Sequence, residues 1–210
     1  MTSNKRILHL IEQAGSLMLM PRTHIRSLGN TFDNVASHSF HASIIAYCIA
    51  RTEGLTHQDG IKAMTMATLH DLAESRTGDL DFIAKNYCKD DEEKAIKDSF
   101  SGISFGKDLE EISNEYEERK SLVSKCAKDA DSLEQIFLEW RLMWQGNKLA
   151  EKWFIGDFVN RVPNLYTESA KKISMEMKNS NPNEWWSSEF LNKQGEVKNL
   201  KHLMGKGFKK

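Results

Sequence analysis

Proline, cysteine and long apolar runs are all scarce in this 210-residue chain. Only Pro21, Pro163 and Pro182 interrupt it, so long stretches are left in which helices can run unbroken. The cysteines Cys48, Cys88 and Cys126 are odd in number and form no CxxC pair. That excludes a disulfide framework and a cysteine-based zinc site, and it points to a reducing, cytoplasmic setting. No apolar run approaches the length of a bilayer span, so no membrane partner is expected. Ile7 to Met20 is broken by His9, Glu12 and Gln13, which reads as an amphipathic helix and not as a signal peptide. A net charge of −1 gives no global basic field, and nucleic acid is not an expected partner. Charge is uneven locally. Residues 90–118 are rich in acid, and Lys198 to Lys210 holds five lysines and no acid. These read as a solvated helix face and a basic terminal tail over 195–210.

A 40% hydrophobic and 28% charged composition suits one domain, here 1–194, with a real core. No sustained two-residue alternation occurs, whereas apolar spacings of three and four recur, so the fold class is all-α. The pattern predicts a helix over Ser3–Met20, a loop over Pro21–Asn34, and helices over Val35–Arg51 and Gln58–Arg76. Shorter helices follow between Leu80 and Glu118. A long helix is predicted from about Lys120 to Gln145, then others over Lys148–Asn160, Leu165–Lys178 and Pro182–Asn192.

Several polar side chains fall where these helices should turn inward. His38 and His41 share a face with Ile45, Cys48 and Ile49. In the next helix His70, Asp71 and Glu74 flank an apolar stripe, with His70 and Glu74 one turn apart. Asp131 borders the apolar stripe of the long helix, and Asp129 is its weaker rival because two residues along a helix point to different faces. Buried imidazoles and carboxylates are costly unless paired or bound to a cation. Two imidazoles and two carboxylates suit a divalent ion such as Mn, Fe, Co, Ni, Zn or Mg, its identity left open. Helix spacing alone allows either His38 or His41 as the first ligand.

The order H…HD…D resembles the HD superfamily of metal-dependent phosphohydrolases. Its carriers are NVASHSFHAS at Asn34–Ser43, LHDLAESRTGDL at Leu69–Leu80 and KDADSLEQ at Lys128–Gln135. Together they are similar to the branch of HD-type 5′-deoxynucleotidases and their oxetanocin-biosynthesis-like relatives, over about Arg22 to Glu139. The resemblance implies a metal held between core helices by His38, His70, Asp71 and Asp131. It implies that Glu74 lies near the attacking water, that Asp79 contacts substrate or caps the following helix, and that Arg22 grips the phosphate, with Arg26 as a nearby substitute. The implied substrate is a nucleoside 5′-monophosphate, split to nucleoside and phosphate. A triphosphate hydrolase of the same fold and a silent binding module are the alternatives. Homodimers are also implied, and Trp140, Trp144, Trp153, Trp185 and Trp186 offer aromatic surface for one. Two departures stand out. Ser37 replaces an acidic residue often found before the first histidine, and Thr23 replaces a tryptophan that excludes a ribose 2′-hydroxyl.

Overall fold

Capping residues in the sequence mark where most helices begin. The computed structural model describes residues 2–29, 32–89 and 91–192, and no strand occurs among them. The basic tail anticipated over 195–210 lies outside the described residues. Helix α1 spans Ser3–Ser16, with Thr2 accepting from the Lys5 N–H. Helix α2 is one turn, Ile25–Leu28, closed by Gly29 at φ +70°, and it sits within the segment anticipated as loop. Helix α3 spans Val35–Thr52 and α4 spans His57–Leu69. Each starts with a reciprocal capping box, Asn34 with Ser37 and Thr56 with Asp59. Then come α5 (Glu74–Thr77), α6 (Glu92–Phe100) and α7 (Gly106–Glu118). The long α8 spans Leu122–Trp144, capped by Ser121, and α9 spans Lys148–Asn160, capped by Asn147. Helices α10 (Glu168–Met177) and α11 (Glu184–Phe190) complete the described part.

The core is built where α3, α4 and α8 cross. Ala42, Ala46, Ala50, Ala63, Ala67, Ala127 and Ala130 are fully buried there, and such small side chains let the three backbones approach closely. Ile49, Met66, Leu133 and Ile136 fill the spaces between, each contributing about 1.5–3 kcal/mol by leaving water. Helix α10 is tied to this core by Asp129, which is buried and accepts from the Tyr166 N–H, the Thr167 N–H and the Thr167 hydroxyl at 2.7–2.9 Å.

Two expectations need correction. The third predicted helix does not run on to Arg76. It ends at Leu69, and residues 70–73 form a turn before α5. The Ala67 carbonyl, which a continuing helix would offer to the Asp71 N–H, accepts the His70 Nδ1–H at 2.8 Å. Three-residue bonds such as Leu72 N–H to Leu69 and Glu74 N–H to Asp71 replace the helical ladder. Asp79 likewise caps no helix. The short 3₁₀ turn Ala84–Asn86 is started by Asp81, whose Oδ1 accepts from the Ile83 and Ala84 N–H groups.

Candidate metal centre

Three segments bring four side chains to one point: α3 supplies His38, the end of α4 supplies His70 and Asp71, and α8 supplies Asp131. The two imidazole Nε2 atoms lie 3.2 Å apart. Asp71 Oδ2 is 3.5 Å from His38 Nε2 and 3.3 Å from His70 Nε2. Asp131 Oδ1 is 3.2 Å and 3.5 Å from the same two atoms. The helix break after Leu69 makes this possible, because neighbours on a continuous helix diverge by about 100°.

Hydrogen bonding fixes what each imidazole presents. His38 is fully buried, and its Nδ1 lies 2.7 Å from Glu134 Oε2. The Nδ1 of His70 faces the Ala67 carbonyl, which can only accept. With both Nδ1 atoms donating, each neutral ring turns a lone pair towards the centre. Two lone pairs and two carboxylate oxygens then adjoin one another, an arrangement that a cation satisfies, as does a proton held between them. Spacings of 3.2–3.5 Å match ligands held about 2.1 Å from a common tetrahedral or octahedral ion, whose neighbours sit about 3.0–3.4 Å apart. The surrounding carboxylates favour positive charge at this point. Burial opposes a proton on His38, yet its hydrogen bonds to the Asp131 and Glu134 carboxylates outweigh burial and raise the imidazole to about 10, and a bound cation would take that proton's place. Asp131 is held well below the usual carboxylate range, since its bonds to His38 and His70 overcome burial.

Neither rival joins the group. His41 turns its Nδ1 to Glu134 Oε1 at 3.1 Å and is one-third exposed. Asp129 is spent on α10. His38, His70 and Asp71 form a mutually close group able to hold a metal, and Asp131 adjoins it through the two imidazoles.

A cleft of about 880 Å³ opens over this group, within the usual range for small-ligand sites. Arg22, Thr23, Glu74 and Asp79 all line it, together with His70, Asp71 and Asp131. Arg22 Nη1 donates to Asp71 Oδ2 at 3.1 Å, while its buried Nε has no hydrogen-bond partner. Asp79 Oδ2 accepts from the Thr23 N–H at 2.8 Å and the Thr23 hydroxyl at 3.2 Å. Arg26 lines the same cleft but pairs with Asp81 at 2.9 Å and is largely exposed. Glu74 does not stack on His70 along one helix. It opens α5 after the turn, buried, with Oε2 unpartnered. Burial, then the charges of Asp71 and Asp79, push its carboxyl up to about 8.

Two participants went unassigned in the sequence reading. Glu134 holds both His38 and His41 from one turn beyond Asp131, and it fills the orienting role that Ser37 lacks. Lys128 donates to Asp131 Oδ2 at 2.7 Å, leaving Oδ1 for the imidazoles. A carboxylate one turn past Asp131 on the same helix face was the available signal.

The HD domain family model matches residues 14–174. The chain belongs to the HD domain family. HD domains bind a divalent metal, and the match extends well past the Arg22–Glu139 segment that carries the motifs, through α9 and into α10. A curated relative is 5′-deoxynucleotidase HDDC2 of Dictyostelium discoideum, 29% identical over 130 residues, covering 57% of this chain and 68% of that one. Among solved structures, a structural-genomics protein designated APC5600 is 31% identical with a TM-score of 0.69, covering 87% of this chain and 99% of its own. A conserved hypothetical protein from Pyrococcus furiosus is 26% identical, with a TM-score of 0.67 and coverage of 82% and 99%. The HD assignment thus has support from sequence and fold together.

Proposed function

We propose that this HD-family chain hydrolyses nucleoside 5′-monophosphates to nucleosides and phosphate, using a divalent metal held by His38, His70, Asp71 and Asp131. The observation that carries the reading is the convergence of those four acceptors beside Arg22, at the base of one cleft. The 5′-deoxynucleotidase relative supports the nucleotide.

When bound, a divalent ion makes water a stronger nucleophile near neutral pH and withdraws charge from a phosphoryl oxygen. The protein's own groups do the rest. The Arg22 guanidinium donors that Asp71 does not take, including the Nε–H that makes no hydrogen bond among the described residues, bind phosphate oxygens. Glu74, whose carboxyl is pushed up to about 8 by burial and the charges of Asp71 and Asp79, in its ionised form takes a proton from the attacking water. The water oxygen bonds to phosphorus as the P–O5′ bond breaks, and the 5′-oxygen leaves as the nucleoside hydroxyl, taking the proton that Glu74 had accepted. Asp79 seats the sugar, and Thr23 holds Asp79 in place.

A panel of ribo- and deoxyribonucleoside mono- and triphosphates, run over several divalent metals, tests this. One phosphate released per monophosphate is the expected result. Release of triphosphate from a nucleoside triphosphate would establish the alternative hydrolase, and metal-loaded protein inert on every substrate would establish the silent module.

We also propose homodimers, on a split among the tryptophans. Trp140 fills the core, whereas Trp144 and Trp185 are 51% and 79% exposed. Sedimentation at micromolar protein should show a dimer, and a purely monomeric boundary would refute it. A cytoplasmic setting is proposed on the three unbonded cysteines and is checked by fractionation.

A further inference from the structure

The far end of the cleft has its own chemistry. It lies between α8 and α9, where Glu139 is eight residues beyond Asp131 and so about 12 Å further along α8. Glu139 lines the cleft and is only 2% exposed. Its Oε1 accepts from the Gln135 amide at 2.9 Å, but its Oε2 is buried without any hydrogen-bond donor among the described residues. Across from it α9 contributes Asp157, paired with Arg161 Nε at 3.2 Å. Burial, with the nearby charge of Asp157, pushes the Glu139 carboxyl up to about 7. A buried carboxyl oxygen with no donor is costly in a finished protein, and an incoming N–H group would relieve that cost.

Gly156 is the second observation. It lies inside α9 and lines the cleft, yet a Cβ built there would meet no atom within 4 Å. Glycine inside a helix costs about 1 kcal/mol relative to alanine, and no neighbour among the described residues explains it here. The space above Gly156 stands beside Trp153, which packs on Leu28, Leu138 and Ala150 and also lines the cleft. A flat open floor next to an aromatic ring suits a planar ligand.

We infer that this end of the cleft is a nucleobase subsite that selects guanine, with Glu139 accepting from the base's N–H edge and Arg161 donating to its oxygen. Guanine offers adjacent N1–H and N2–H donors to a single carboxylate, together with O6 and N7 acceptors that suit an arginine. Adenine and uracil offer fewer donors on that edge, and cytosine lacks the purine's second ring to cover Gly156. The assignment rests on the proposed nucleotide hydrolysis, because it supplies the base for the phosphate bound at Arg22.

The test compares kcat/KM for the four ribonucleoside 5′-monophosphates with that for ribose 5-phosphate, in wild type, Glu139→Ala and Gly156→Leu. Guanosine monophosphate should lead the other bases by about 10- to 100-fold, the worth of one or two hydrogen bonds to a charged group. Glu139→Ala should erase most of that lead. Gly156→Leu should raise KM for guanosine monophosphate and lower its ratio to ribose 5-phosphate. Should Glu139→Ala not fold, Gly156→Leu decides alone. A flat base profile, a cytidine preference, or a guanine lead untouched by either substitution overturns the subsite. If no phosphoester is cleaved at all, the hydrolase reading fails, and calorimetry of guanosine against adenosine with the metal-loaded protein then decides the base subsite separately.

Discussion

Glu134 Oε2 stands 2.7 Å from His38 Nδ1, and through that contact a helix that gives one carboxylate to the centre also aims its principal imidazole. Partners of this kind typically govern metal affinity by about 10- to 100-fold. Glu134→Gln should therefore weaken metal binding by that order while leaving the ligand atoms present. Removing a proposed ligand by Asp131→Ala should abolish bound metal and nearly all turnover. His41→Ala, which touches only the other oxygen of Glu134, should retain metal and keep activity within a few-fold. Metal content after gel filtration reads all three, and loss of metal in His41→Ala with retention in His38→Ala would reverse the histidine assignment.

Glu74 is predicted to affect rate and not assembly. Glu74→Gln preserves its shape but cannot accept a proton, so metal and substrate should still bind while kcat falls about 10²- to 10⁴-fold. Turnover within threefold of wild type would remove Glu74 from the chemistry.

Sugar selectivity should be weak. The position beside Arg22 is Thr23, whose hydroxyl donates to Asp79 and so has only acceptor capacity left for a ribose 2′-hydroxyl. With no bulky ring there, the preference for deoxyribonucleotides should be slight, and Thr23→Trp should increase it about 5- to 150-fold, the equivalent of roughly 1–3 kcal/mol. The ratio of kcat/KM for matched deoxyribo and ribo monophosphates measures it. A strong deoxy preference in wild type that the substitution does not alter would place the discrimination elsewhere.

Glu139 should leave a mark on stability. Its carboxyl rises from 4.5 to about 7 on folding, so between those values the folded protein binds the proton more tightly than the unfolded chain does. Stability from this group is therefore full below pH 4.5 and is lost as pH rises through 7. Glu139→Gln should remove that slope, gaining on wild type by about 1–3 kcal/mol between pH 5 and pH 8. Urea midpoints at the two pH values check this, and a constant difference between the proteins would contradict it.

Much of the fold was legible in the three- and four-residue spacing of its apolar side chains, and the predicted Lys148–Asn160 helix has the observed bounds. The choice of His38 over His41 came from the resemblance to the HD superfamily, whereas the gathering of imidazoles and carboxylates at this centre was legible because ionisable groups beside apolar stripes demand a partner. The break at His70 was not, since Leu69–Ser75 contains no glycine or proline and the helix is stopped by a side chain capturing a carbonyl. Glu134 read as one more charge on a long helix, and only the packing of α3 against α8 gives it a role. Asp79 and Thr23 are 56 residues apart, a separation at which no local pattern connects them. The part played by α9 in the cleft was equally hidden, because no motif extends to it.

Asp129 and Asp131 lie two residues apart on α8 and grip opposite neighbours, one the start of α10 and the other the histidine pair. A helix held on one side only can roll about its long axis, and a roll of a few degrees at the axis becomes a sideways sweep at the end of a side chain. Held on both sides, α8 acts as a keyed shaft. Its angular setting, and with it the aim of the Asp131 carboxylate, is fixed from a part of the chain that never touches the ligands.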